Sequence, residues 1–196
     1  MLNDITIPDS HSMPNVQDTI EGFLGCSHFS CFDVQDAFWA VRLNQADQYK
    51  TAFATHNMLL EWLVIPQGCM NGAVFFARVI QQIFQDSPKT LSAFQDDVFA
   101  HTKTFNELLE AMDEACERML SNNLVFKLSK TFMNESKIRI LGQMVSKDKK
   151  EPDPKKIQAI LDLRPPESHK ELQRFIGLFG FQSQYIHRFS ELMAPL

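Results

Sequence analysis

The chain has 196 residues, 44% of them hydrophobic and 22% charged, a globular balance that excludes a disordered tail or linker. Phe supplies 17 of the 21 aromatic side chains, enough bulk for a sizeable core in one large domain or two small ones. The net charge of −5 argues against a simple nucleic-acid-binding module, which replaces phosphate counterions with a strong positive excess.

The charge is unevenly divided. Residues 1–100 hold 4 Lys and Arg against 11 Asp and Glu, a net −7; residues 101–196 hold 15 against 13, a net +2. The four cysteines show no CxxC pair and no His at finger-like spacing, and the first 25 residues lack the basic-then-apolar run of a signal peptide. Reduced thiols in an intracellular chain, cytoplasmic or nuclear, are expected. No apolar stretch approaches the roughly 18 residues of a membrane span, so no membrane partner is expected.

Residues 1–20 read as an extended lead-in with a short helix near Val16 to Phe23, and residues 28–34 as a strand followed by a helical turn. The runs YKTAFAT and LLEWLVI, separated by HNM, predict a hairpin. From Asn71 to Gln85, Phe75, Phe76, Val79, Ile80, Ile83 and Phe84 recur at helical spacing, with Pro88 as the stop. LSAFQDDVFAHT reads as a tight hairpin with Gln95, Asp96 and Asp97 at its tip. Residues 105–121 make a second strong helix, and LVFKLS with KIRILGQMVS a further pair of strands. After a charged turn, Asp153 and Pro154 open a helix that ends before Pro165 and Pro166, and Ser168 with Glu171 forms a capping box for the last one. A boundary is placed near 147–153, giving an α+β unit over 1–150 and a helical unit over 151–196.

The acids carry the chemical interest. Adjacent carboxylates repel unless a cation or water relieves them, and an isolated Asp-Asp is usually a solvated turn. Here the pair Asp96 and Asp97 is flanked hard by Ala93, Phe94, Val98 and Phe99, and Asp33 likewise ends an apolar run where it would otherwise read as a helix cap. If the strand of Asp33 lies beside the 91–99 hairpin, three carboxylates converge. Oxygen donors without His or Cys select Mg²⁺ or Mn²⁺, and two such ions stabilise a phosphoryl displacement.

In order, Asp33, Phe38 five residues on, IPQG at 65–68, FQDD at 94–97, LSK at 128–130 and ILG at 140–142 resemble the reverse transcriptase of gypsy-type LTR retrotransposons and retroviruses. The opening LNDITIPDSHSMPN and the stretch from Pro152 to Leu196 are similar to the flanking segments of that family. The resemblance implies a polymerase palm, an antiparallel sheet with packed helices, followed by a mostly helical thumb or connection segment. It also implies two-metal nucleotidyl transfer onto a primer 3′-hydroxyl on an RNA or DNA template. Asp33, Asp96, Asp97 and the backbone of Val34 are the implied metal ligands, and Lys130 the residue that steadies or protonates departing pyrophosphate. Phe38, Gln67 and Gly68 are implied to meet the deoxynucleotide, and Leu141 and Gly142 to hold the primer end. The charge split then reads as metal-site acids ahead of a basic grip on nucleic acid.

The chain departs from the family at Phe94, where Tyr is usual, and at Gly72 and Ala73, where an Ala-Pro pair commonly opens the helix. The family's fingers lie upstream of the segment matching residue 1, and its connection and ribonuclease H domains downstream of the segment matching Leu196, so weak or absent polymerisation by this chain alone is expected. Two other readings stay open at this point: a catalytically silent nucleic-acid-binding remnant, and a nonfunctional transposon fragment.

Overall fold

The computed structural model describes residues 2–11 and 15–194. In chain order its elements are α1 (Val16–Glu21), β1 (His28–Asp33), β2 (Phe53–Ala54), β3 (Leu59–Leu60), α2 (Gly72–Phe84), β4 (Leu91–Phe94), β5 (Asp97–Thr102) and α3 (Phe105–Ser121). There follow β6 (Phe132–Glu135), β7 (Lys137–Ile140), β8 (Gln143–Ser146), β9 (Lys150–Pro152), α4 (Pro154–Leu161), α5 (His169–Gln182) and α6 (Phe189–Met193). Four strands form an antiparallel sheet in the order β4-β5-β1-β6, and β7-β8-β9 make a second, smaller sheet.

Both faces of the main sheet are covered, as its alternating side chains require. Phe32, Val98 and Ala100 point to α2 and α3, where Phe76, Ile80, Leu108, Ala115 and Met119 complete one core. Phe29 and Phe99 point the other way, to Ile20 and Phe23 around α1 and to Ile138, Ile140 and Val145 of the β7–β8 hairpin. Phe23 anchors this second core, stacking on His101 at 4.0 Å and meeting Phe99 edge-on at 5.7 Å.

The helices begin where their caps predict. Asp153 accepts from Lys155 N–H ahead of Pro154 and Ser168 accepts from Glu171 N–H, while a reciprocal cap of Thr104 and Glu107 on α3 is one that sequence reasoning missed. Two expected strands are absent, for physical reasons. The run YKTAFAT at 49–55, expected as a strand, begins inside a 3₁₀ helix over 45–51, held by Asn44 on Ala46 N–H and by the Lys50–Asp47 pair, because the segment has no sheet to bury its alternate residues against. The hairpin expected of YKTAFAT and LLEWLVI shrinks to the two-residue strands β2 and β3. The run from Leu124 makes one bridge, Phe126 to Val34, before turning into 3₁₀ geometry at Leu128–Lys130. In the lead-in, Leu2–Ile5 is also a 3₁₀ turn, and residues 12–14 of that stretch lie outside the described residues. Among the described residues, no helix is long and apolar enough to cross a membrane.

Candidate active site

Strand register brings the acids together. β1 pairs with β5 so that Asp33 stands opposite Asp97, while β4 and β5 are joined by a two-residue turn, Gln95 and Asp96, with Gln95 at φ 55°. Val34 N–H donates to the Asp96 carbonyl at 3.1 Å, tying the turn to the end of β1. Residues directly opposite across an antiparallel pair share a face, so the Asp33 and Asp97 side chains stand on the same side of the sheet, with Asp96 in the turn beside them. Asp33 and Asp96 line a cavity of about 220 Å³ with Val34, Phe38, Gln67 and Lys130, and Asp97 is not among its lining residues.

The local field is strongly negative. Burial, then the charges of Asp96 and Asp33, push the Asp97 carboxyl up to about 6, with Lys130 opposing them. The same surroundings push the Cys31 thiol up to about 12, burial first and then Asp97 and Asp33. Lys130 Nζ donates to Asp33 Oδ2 at 3.0 Å, and that hydrogen bond and charge hold its ammonium above the usual lysine value. Among the described residues, no three His, Cys, Asp or Glu side chains are gathered closely enough to hold a metal ion as they stand. The chemistry of the donor set nevertheless fits a hard divalent cation. Its side-chain donors are carboxylate oxygens, their mutual repulsion calls for positive charge, and the Lys130 ammonium already stands as counter-charge on Asp33.

The remaining predicted residues fall around or away from this cavity. Phe38 leans edge-on against Phe76, ring centroids 6.1 Å apart, and lies beside Gly72. A Cβ at Gly72 would crowd Ile65 Cγ2 at 3.2 Å but meet Phe38 Cδ1 at an ordinary 3.8 Å, so glycine at this departure from the family leaves room for Ile65. Gln67 reaches the cavity, while Gly68, at φ 88°, turns the loop behind it. Leu141 and Gly142 stand apart as the two-residue turn of the β7–β8 hairpin, at φ 48° and 80°. Lys127, Asp36 and Trp39 also line the cavity, and sequence reasoning missed them.

Asn3 was missed too. Its side-chain amide donates to Gly68 O at 2.8 Å and accepts from Met70 N–H at 3.0 Å, clamping the loop that carries Gln67. Its neighbours continue the strap, Asp9 taking a two-pronged contact from Arg78 at 2.6 and 2.7 Å. A larger opening of about 480 Å³ between α2 and α3 is less suited to a ligand, since its Arg118 is already engaged by Glu114 and the carbonyls of Ile83 and Asp86.

Residues 1–145 match the family model described as reverse transcriptase (RNA-dependent DNA polymerase). The chain belongs to the reverse transcriptase family. It is thereby a member of a nucleotidyltransferase family, and its antiparallel sheet with packed helices is the fold expected of one. The chain is 29% identical over 196 residues to the retrovirus-related Pol polyprotein from transposon opus of Drosophila melanogaster, covering 100% of this chain and 20% of that protein. It is 24% identical to the transposon Tf2-3 polyprotein of Schizosaccharomyces pombe, covering 100% of this chain and 15% of that protein. The reverse transcriptase chain thus spans about a fifth or less of these curated relatives. Among solved structures, the foamy viral protease-reverse transcriptase dRH in complex with double-stranded DNA superposes with a TM-score of 0.91 at 22% identity, over 99% of this chain and 34% of that one. The same viral protein in complex with an RNA/DNA hybrid gives 0.79 at 21% identity, over 100% of this chain and 27% of that one. Both likenesses show the fold.

Proposed function

We propose that this chain is the palm and thumb part of an RNA-directed DNA polymerase, adding deoxynucleotides to a primer 3′-hydroxyl on an RNA or DNA template. Residues 1–150 act as the palm with the start of the thumb hairpin, and 151–196 as the helical thumb or connection segment. The observation that carries the reading is the register that sets Asp33 against the Asp96–Asp97 hairpin beside a cavity also lined by Phe38, Gln67 and Lys130.

Asp33, Asp96 and Asp97, with the backbone of Val34, would hold two Mg²⁺ or Mn²⁺ ions. When bound, these supply Lewis-acid stabilisation of the attacking and leaving oxygens. In the reaction the 3′-hydroxyl oxygen bonds to the α-phosphorus and loses its proton, and the α-phosphorus releases pyrophosphate. Lys130, which lines the cavity, steadies or protonates that leaving group. Phe38 lies under the sugar and selects against a 2′-hydroxyl, Gln67 and Gly68 position the nucleotide, and Leu141 and Gly142 hold the primer end. The basic second half grips the nucleic-acid backbone.

The test is primer extension on an RNA template with Mg²⁺, comparing the chain with Asp96→Asn. Extension lost in the variant supports the assignment, and equal activity refutes it. Salt-dependent duplex binding without extension by either protein would make the chain a silent clamp instead.

A further inference from the structure

Phe38 and Trp39 are adjacent in sequence and have different fates in the fold. The turn that follows β1 is fixed by the Asp36 carbonyl, which accepts from Trp39 N–H at 2.7 Å and from Ala40 N–H at 3.1 Å, with Asp36 itself at φ 51°. That turn leaves Phe38 half-buried, leaning on Phe76 close to Gly72 with its remaining surface on the cavity wall. Trp39 is left 47% exposed on the wall of the cavity that holds Asp33 and Asp96. Among the described residues its indole stacks on no other aromatic ring, whereas the chain's other tryptophan, Trp62, lies against Phe53 at 6.2 Å.

The cavity is therefore divided by chemistry. Carboxylates and lysines suit a metal-bound, anionic group, Gln67 offers an amide, and Phe38 is half-covered by its packing on Phe76, which leaves Trp39 the broadest open ring on the wall for the flat part of a nucleotide. A broad π surface left in water beside them is suited to a nucleobase, since base–aromatic stacking needs only a face and tolerates any base. We propose that Trp39 is the base-stacking platform of this site. The inference rests on the polymerase reading and adds to it a residue that sets affinity for the base, from the incoming nucleotide or from the nucleic-acid strand. Stacking of this kind corresponds to about a tenfold change in affinity per base.

The test uses the full chain carrying Trp62→Phe, so that Trp39 is the only indole reporter. Its emission is followed on titration with dGTP and Mg²⁺, and separately with an RNA-template, DNA-primer duplex whose binding is read independently by anisotropy of a labelled primer. Saturable quenching by dGTP assigns the stacked base to the incoming nucleotide; quenching by duplex alone assigns it to the strand, and either supports the platform. Trp39→Ala weakens the quenching ligand about tenfold, and Trp39→Tyr restores binding to within about threefold. A thermal melt of the half-exposed Trp39→Ala variant matches the parent chain. If the duplex binds, Trp39 emission stays constant in both titrations, and Trp39→Ala binds and extends like the parent, the platform is refuted while the polymerase reading stands. If neither dGTP nor duplex binds, both are refuted.

Discussion

His101 gives the fold a pH dependence whose sign and size follow from its surroundings. The imidazole lies in β5, 3% exposed, stacked on Phe23, with Nε2 2.9 Å from Ser92 Oγ and Nδ1 3.8 Å from the Cys26 thiol. None of these partners is a carboxylate, and burial lowers the imidazole from the usual 6.5 to about 4. Between those two values the unfolded chain binds a proton that the folded chain refuses. Stability is therefore whole above pH 6.5 and falls as pH drops toward 4, by about 1.4 kcal/mol per pH unit and about 3 kcal/mol in all. Asp97 works against this in the same window. Its folded value of about 6 lies above the ordinary 3.8, so its contribution is whole below 3.8 and is lost as pH rises through 6. Water reaches part of that carboxylate, so its effect is the smaller of the two.

The parent chain should thus show a muted acid slope, His101→Gln should gain stability relative to the parent as pH falls, and Asp97→Asn should fall more steeply than the parent. Urea denaturation at half-unit steps from pH 4 to 7 measures all three, and the imidazole C2 proton shift of His101 gives the midpoint directly. A parent-minus-His101→Gln difference that stays flat across this range, or an imidazole midpoint near 6.5, refutes the reasoning.

Phe23→Ala, which empties the centre of the second core, costs about 3–5 kcal/mol in urea unfolding at neutral pH. Gly142→Ala costs about 1–2 kcal/mol, because the residue sits at φ 80° and a Cβ there would lie 2.6 Å from Lys156 Nζ; a chemical melt that matches the parent would contradict this. Asn3→Ala changes global stability by less than about 1 kcal/mol, yet it frees the Met70 amide that now donates to Asn3, so hydrogen exchange at Met70 accelerates while the β5 amides keep their protection.

The sequence was legible where local rules act alone. The long helices announced themselves by apolar spacing, and the last two by the caps Asp153 and Ser168, whose chemistry needs no distant partner. The runs at 49–55 and 124–129 misled because alternation signals a strand only when a neighbouring strand exists to pair with it. The acids stood out because Asp-Asp between apolar runs is costly in most folds. Their division, Asp96 in the turn lining the cavity and Asp97 opposite Asp33 at the start of β5, depends on where the turn ends and β5 begins. The Asn3 clamp spans 65 residues to Gly68, and an exposed amide carries no pattern that would reveal such a partner. Trp39 was invisible for the converse reason, since an aromatic after Phe38 reads as more core until the turn at Asp36 turns it outward.

The two-residue connection at Gln95 and Asp96 also governs which length changes this chain can survive. One residue added between Phe94 and Val98 forces either a longer turn or a slipped register, and a slip turns every β5 side chain to the opposite face. Phe99 and Val98 would trade cores, and Asp33 would lose its partner across the strand. The exposed segment from Leu43 to Leu63, held by two-residue strands and a 3₁₀ turn, has no such coupling and can absorb several residues at small entropic cost. Viable length variants of this chain should therefore gather between Leu43 and Leu63 and be missing from the 94–98 turn.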